Sequence, residues 1–438
     1  MVEELLTRSE EAVALALTSG ADGAFAWARR SRGVDWRYRD GVLEHVEEST
    51  SRALSLELYA DGRYSSHSTT DLRPDRLQAF VREAVALTRA LQPDPHRTLP
   101  DPALYGGGSD AHLEQTDETV MALDNAAREA WLRELDEGAR AAPQLISATS
   151  WLSTSHSLAA GTSSNGFSGT SQDTGLWFGT DLTLQDQGDA RPEEGSWAGG
   201  HFRGGLPSPS AVAAEARDRA RARLGSEKGP TAKTTMVVDN RAASRLLSAL
   251  MRPASARSVQ QARSFWAGKL GQRVVSDKLT IIDDPTLVRG LASRAFDGEG
   301  LAARKLTMVD RGVAQNLYVD TYYGKKAGMA PTTGRSSNLV VGLGDRDQAQ
   351  LVSDVGEGVF VTAWLGGNND DNTGDFSFGL RGHRIQGGKI GGPIGEMNAT
   401  GSLLDLFANL VAVGNDPFAY SSWAAPTLVF EGVQFSGA

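Results

Sequence analysis

From about Val274 onward the chain reads as short apolar runs separated by glycine, and glycine is crowded between residues 356 and 401. A helix cannot absorb such a density, because each interior glycine costs it about 1 kcal/mol relative to alanine. A sheet uses glycine to kink, to bulge or to let another backbone approach. The second half is therefore expected to be a bent sheet or barrel, entered by a strand over 235–239 and a helix carrying Leu246, Leu247, Leu250 and Met251. One further helix is expected over 402–413.

The first half has another texture. Residues 2–18 alternate apolar and charged positions at helical spacing. Five short runs follow, at 25–30, 34–38, 42–46, 53–59 and 64–68, each bounded by Gly, Asp or Ser. Asp61-Gly62 tolerates the positive φ of a tight hairpin, so an antiparallel meander is expected. Pro74 opens a helix whose stripe is Leu77, Phe80, Val81, Ala84, Val85 and Leu91. A second helix is expected over 117–140, with Val120, Leu123, Ala127, Trp131 and Leu135 facing inward. Strands over 145–158 and 176–184 come next, and then a helix from Ser208-Pro209 to Gly225. The class is α+β: an N-terminal domain over 1–228 with an antiparallel sheet and packed helices, and a glycine-rich, barrel-like or bent-sheet domain over 229–438.

Composition narrows the chemistry. The 438 residues, 40% hydrophobic and 22% charged, suit two or three ordinary cores. With 44 Lys and Arg against 54 Asp and Glu, the net charge of −10 argues against a nucleic-acid binder. Arg217, Arg219, Arg221 and Arg223 alternate, which spreads them around a helix read as solvated. Cysteine is absent, which excludes disulfides, thiolate metal sites and cysteine nucleophiles. The acidic start Met1-Val2-Glu3-Glu4 does not resemble a secretory leader, and no apolar run reaches about 18 residues. A cytoplasmic protein away from membranes is expected.

Common catalytic patterns are missing. The seven histidines are all more than five residues apart, so no helix turn offers a His pair to zinc. Gly342-Leu343-Gly344 lacks a third glycine for a dinucleotide, and Gly387-Gly388-Lys389 has Ile390 where a phosphate loop needs Ser or Thr. The run Asn368 to Asp375 does not meet the EF-hand register and reads as a polar turn. Gly166-Phe167-Ser168-Gly169 only approximates a nucleophile elbow. Asp283, Asp284, Asp297 and Glu299 could serve a two-carboxylate mechanism, but beside Pro285 and Gly298 they read as turn residues.

Several segments lie in one order between Arg263 and Gly437. Arg263-Ser264-Phe265 precedes Gly268-Lys269-Leu270-Gly271, Thr280-Ile281-Ile282-Asp283-Asp284-Pro285 and Phe296-Asp297-Gly298-Glu299-Gly300. Gly312 to Asp320, Thr333-Gly334 and Gly374-Asp375-Phe376-Ser377-Phe378-Gly379 come next, then Ile385 to Gly388 and Gly432-Val433-Gln434-Phe435-Ser436-Gly437. This set resembles the TldD/PmbA family, and Ser68-Thr69-Thr70-Asp71-Leu72 before a helix extends the likeness into the first half. The family's catalytic branch carries a His-Glu-x-x-x-His helix, with the glutamate as base for metal-bound water. Aligned on the double leucine, Ser248, Ala249 and Pro253 stand at the His, Glu and second His positions here. None of them can ligate zinc or act as base.

The resemblance therefore implies the TldE/PmbA side: a non-catalytic subunit, inactive alone, of a cytoplasmic protease that acts on unfolded peptides. It implies no cofactor in this chain, with zinc held only by a TldD-like partner, and a heterodimer with that partner or a homodimer. Arg263, Ser264, Phe265, Gly366 and Gly367 are the candidate peptide contacts, since glycine admits a close backbone and a sheet can accept an extended peptide as an added strand. Two other readings stand beside this one: a non-proteolytic partner-binding protein of the DNA gyrase modulator type, and a hydrolase with a relocated site at Asp283, Asp284, Asp297 and Glu299.

Overall fold

The computed structural model describes residues 1–437. The N-terminal sheet is built from β1 Gly23–Arg39, β2 Val42–Ala60, β3 Arg63–Thr69, β4 Leu145–Ser163, β5 Ser168–Leu184 and β6 Glu193–Gly200. Its order is β3-β2-β1-β4-β5-β6, antiparallel throughout this path. The five expected runs are thus three strands. The polar gap Ser31-Arg32-Gly33 does not interrupt β1, because β2 and β4 pair with it on both sides (Ser31 opposite Ser51 and Ser157). The same ladder carries β4 and β5 well beyond the expected ends.

Even-numbered residues of β1 face helices. Ala24, Ala26 and Ala28 pack with α1 (Val2–Thr18) and α2 (Pro74–Arg89). Val34, Trp36 and Tyr38 share a cluster with Leu132 and Leu135 of α3 (Asn125–Arg140) and Val212 of α4 (Pro209–Arg221). Phe25, Trp27, Arg29 and Ser31 point to the opposite face by the period of two. Some helix boundaries differ from expectation. The helix over 117–140 is two pieces, Glu118–Met121 and α3, because the Asp124 carboxylate caps Ala127 N (2.7 Å) and starts a new helix. Leu91 lies beyond α2 and is exposed, and α4 stops at Arg221, short of Gly225. Arg219 and Arg223 are not solvated: Arg219 meets Glu194, and Arg223, buried, donates to the Ile394 carbonyl (3.2 Å).

The C-terminal half contains a closed five-strand ring. Strand β7 (Ala232–Val238) runs parallel to β8 (Glu357–Asn369), which is followed by antiparallel β9 (Asp375–Gln386) and β10 (Lys389–Ser402). The last strand, β11 (Leu428–Ser436), pairs with β7 on one side and with β10 on the other. Two register breaks in β8, at 361–363 and 364–366, supply the bend that a small ring needs. Helix α5 (Asn240–Met251) packs Leu246, Leu247 and Leu250 into the same core as Phe378, Phe430 and Phe435. The helix expected over 402–413 ends at Ala408; Leu410–Val413 is a strand on the edge of β11. No helix among the described residues is long and apolar enough to cross a membrane.

Candidate functional site

Helix α5 holds the positions of the missing metal motif. Its N-cap Asp239 accepts from Arg241 N (2.9 Å). Its solvent-facing side carries Arg241, Arg245, Ser248 and Arg252, spaced to lie on one stripe. Arg245 donates to the Gly367 carbonyl (3.1 Å), and Arg252 forms a fork on Asp371 (2.7 and 3.0 Å). Ser248 is half-buried, Ala249 is 4% exposed within the core, and Pro253 is buried beyond the last helical residue, Met251. These residues do not fit zinc: Ala249 offers no ligand or base, and Pro253 is off the helix that would present it. Among the described residues no group of three or more His, Asp or Glu is placed to hold a metal ion.

The segment after α5 stitches the helix to the turn after β8. Ser264 Oγ donates to the Pro253 carbonyl (2.7 Å), Trp266 Nε1 donates to the Leu250 carbonyl (2.8 Å), and Phe265 N donates to the Asp371 carbonyl (2.9 Å). Ser264 and Phe265 are buried, whereas Arg263 is exposed and lines a groove of about 890 Å³ with residues 368–372 and 375–377. Gly366 (φ +133°) faces open space, while a Cβ on Gly367 would collide with the Ser377 carbonyl of β9. Gly367 thus touches α5 through Arg245, Arg263 lines the groove beyond the end of the helix, and Ser264 and Phe265 fasten that end.

Helix α5 and β9 meet the N-terminal sheet across a cleft of about 410 Å³. Glu194 of β6, 8% exposed, accepts from Arg219 (3.3 Å) and from Arg381 of β9 (3.0 Å). Asp181 is raised above the usual carboxylate range by burial and by the nearby Glu193 and Glu194. A neighbouring cleft of about 580 Å³ shares Trp197, Arg219 and Arg241 and adds an aromatic wall of Phe418 and Tyr420 (Trp197 to Phe418, 5.3 Å between ring centres). The sequence reading missed these residues. An aspartate in the middle of a strand, as Asp181 is, was the available signal, since strands disfavour it.

Each of the four carboxylates proposed as a relocated site has partners of its own, Asp297 accepting from Glu299 N (2.9 Å) and Leu301 N (3.1 Å). Asp283 accepts from Tyr318 Oη (2.7 Å) and Ser337 N (2.8 Å), and Asp284 pairs with Lys305 (2.7 Å). Glu299 accepts two bonds from Thr321 (2.9 Å each) and is raised to about 7, chiefly by burial. Of the four, Asp297 alone lines a cavity described here.

The whole chain has relatives. The description "PmbA/TldA metallopeptidase C-terminal domain" matches residues 231–437, its domain 1 matches 28–88, and its central domain matches 117–224. Metalloprotease PmbA of Escherichia coli O157:H7 is 28% identical over 419 residues, covering 93% of this chain and 91% of its own. A Bacteroides thetaiotaomicron crystal structure, described as a candidate modulator of DNA gyrase, is 36% identical with a TM-score of 0.94, covering 99% and 98% of the two chains. TldE from Thermococcus kodakarensis shares the fold at a TM-score of 0.85 and 16% identity, over 98% of this chain and 100% of its own. The chain belongs to the PmbA/TldD metallopeptidase family.

Proposed function

We propose that this protein is a TldE-like, non-catalytic subunit of a cytoplasmic protease that acts on unfolded peptides, built as two domains, 1–228 and 229–438. It pairs with a zinc-bearing, TldD-like subunit or with a second copy of itself, and it carries no zinc of its own. One observation carries the reading: Ala249, at the position of the family's general base, packs into the core, and the flanking ligand positions hold Ser248 and Pro253. Hydrolysis needs a base beside an activated water, and this helix supplies neither base nor ligand. The groove lined by Arg263 and residues 368–372, beyond the C-terminal end of α5, and the cleft lined by Arg241 and Arg245 of α5 support a role in holding extended chain.

The test is elemental analysis of the purified chain followed by cleavage of an unfolded protein with and without a TldD-like partner. No zinc, and cleavage only in the mixture, is expected. Stoichiometric zinc with cleavage by the chain alone overturns the reading.

A further inference from the structure

The sheet face opposite the helices encloses a cavity of about 710 Å³ beneath residues 291–298 and 335–336 of the C-terminal half. An aromatic cluster fixes its roof: Phe296 packs on Trp27 (5.8 Å between ring centres) and Phe167 (5.1 Å), and Trp27 Nε1 donates to the Gly298 carbonyl (3.0 Å). Arg294 spends its guanidinium on the Ser336 carbonyl (3.0 Å), the Arg335 carbonyl (2.6 Å) and Thr333 Oγ1 (3.2 Å), which holds the second loop. The cavity is thus a built space between two anchored segments.

Its charges are separated and unused. Arg29 and Arg335 both line the cavity with no carboxylate partner among the described residues, and the Arg335 charge adds to burial in lowering the Arg29 pKa. Two like charges kept together without an acid make an anion site, and guanidinium planes match a carboxylate. Across the sheet, one register row sets Ser31, Ser157 and Asp173 side by side. Among the described residues the Asp173 carboxylate has no hydrogen bond or ion pair, and that of Asp110, 7% exposed, accepts only from Gln172 N (3.3 Å). Burial raises both carboxyls, Asp110 to about 6. Asp297 is 5% exposed, and its Oδ2 has no partner. A buried carboxylate oxygen without a partner, as Asp297 Oδ2 is, is costly and calls for an explanation.

We propose that this cavity binds a short peptide with both ends free, its terminal carboxylate on Arg29 and Arg335 and its terminal ammonium on Asp110 and Asp173. The span fits. Asp173 lies two strands and two residues away from Arg29, about 12 Å in backbone terms. An extended chain of about three residues covers roughly 10 Å, and the two side chains close the remainder. The choice of a peptide among zwitterions rests on the peptide-handling reading above; the charge arrangement does not.

The experiment is titration calorimetry of the full chain with trialanine, N-acetyl-trialanine and trialanine amide. Free trialanine is expected to bind, and each blocked form to bind at least about tenfold more weakly. Arg335→Ala, at an exposed position, is expected to weaken trialanine about tenfold and to abolish discrimination against the amide while keeping discrimination against the acetyl form. Asp173→Asn gives the converse. Equal binding of the three probes, or no binding of trialanine to folded protein, overturns the proposal. Failure of long-chain cleavage with a TldD-like partner overturns the proposed function instead, so the two outcomes are read separately.

Discussion

Glu299 shows what burial does to one side chain. Its carboxylate accepts two hydrogen bonds from Thr321, which favour the charged form, yet burial outweighs them and lifts the pKa from 4.5 to about 7. Between those values the native state holds a proton that the unfolded chain has released, so stability falls as pH rises through this window. The loss is complete above about pH 7. At about 1.4 kcal/mol per pKa unit it amounts to at most about 3 kcal/mol. Glu299→Gln keeps an acceptor for Thr321 and removes the charge. Thermal unfolding at pH 4 is expected to be nearly unchanged, while at pH 8 the variant melts higher and the slope between is flattened; a lower melting temperature at pH 8 contradicts the account. Nothing in the sequence around Gly298 and Gly300 reveals this state. The burial comes from distant chain: the Glu299 charge is felt by Tyr59 and Tyr105, and its hydrogen-bond donor is 22 residues ahead. Asp283 was illegible for the same reason, since its acceptor role depends on Tyr318 and Ser337.

At the scale of elements, α5 gives the sharpest contrast between local and distant information. Its apolar residues and its termination near Pro253 were readable from spacing and from the ring of proline. Which flank of the stripe is buried was not, because that depends on where the barrel closes. Ala249 lies on the buried flank. Rebuilding the metal motif as Ser248→His, Ala249→Glu and Pro253→His is therefore expected to yield no zinc by elemental analysis. Ala249→Glu alone should destabilise by about 3 kcal/mol or more, through overpacking and an unpaired buried charge. Stoichiometric zinc in the triple variant sinks this account of the helix. The glycine pair in β8 offers a second contrast. Both residues have positive φ, but a methyl group at Gly366 meets open space and one at Gly367 meets the backbone of β9. Gly367→Ala should lower the melting temperature clearly more than Gly366→Ala, which carries backbone strain alone. The glycine crowding that announced a bent sheet thus marks register breaks and turns, while the segments Ser264 and Phe265, equally prominent in sequence, serve to fasten a helix end.

Across the whole molecule, the halves are joined by the aromatic cluster around Phe296 and, on another side, by buried charge. Glu194 on the N-terminal sheet holds Arg219 of α4 and Arg381 of the barrel at once, and Arg381 also donates to the Glu193 carbonyl (2.9 Å). Arg223 and His383 add bonds across the same seam, to the Ile394 and Ala222 carbonyls. The two textures of the sequence suggest a boundary near residue 228, because turn-rich chain is visible locally. The seam was invisible, since its members are scattered from Asp181 to Ile394. Glu194 is the hub, so removing it does more than delete two contacts: it leaves two guanidiniums, each about a fifth exposed, without the carboxylate they share. Stranding a buried partner costs about 3–5 kcal/mol where desolvation is complete, and partial exposure places this case at about 2–3 kcal/mol. Glu194→Ala should therefore lower the melting temperature and, because the penalty falls on the seam and leaves each core intact, separate a single calorimetric transition into two. Glu194→Gln retains acceptor geometry for one arginine and should lie between. A Glu194→Ala protein that melts in one transition at the wild-type temperature would show that apolar packing, not this triad, couples the halves.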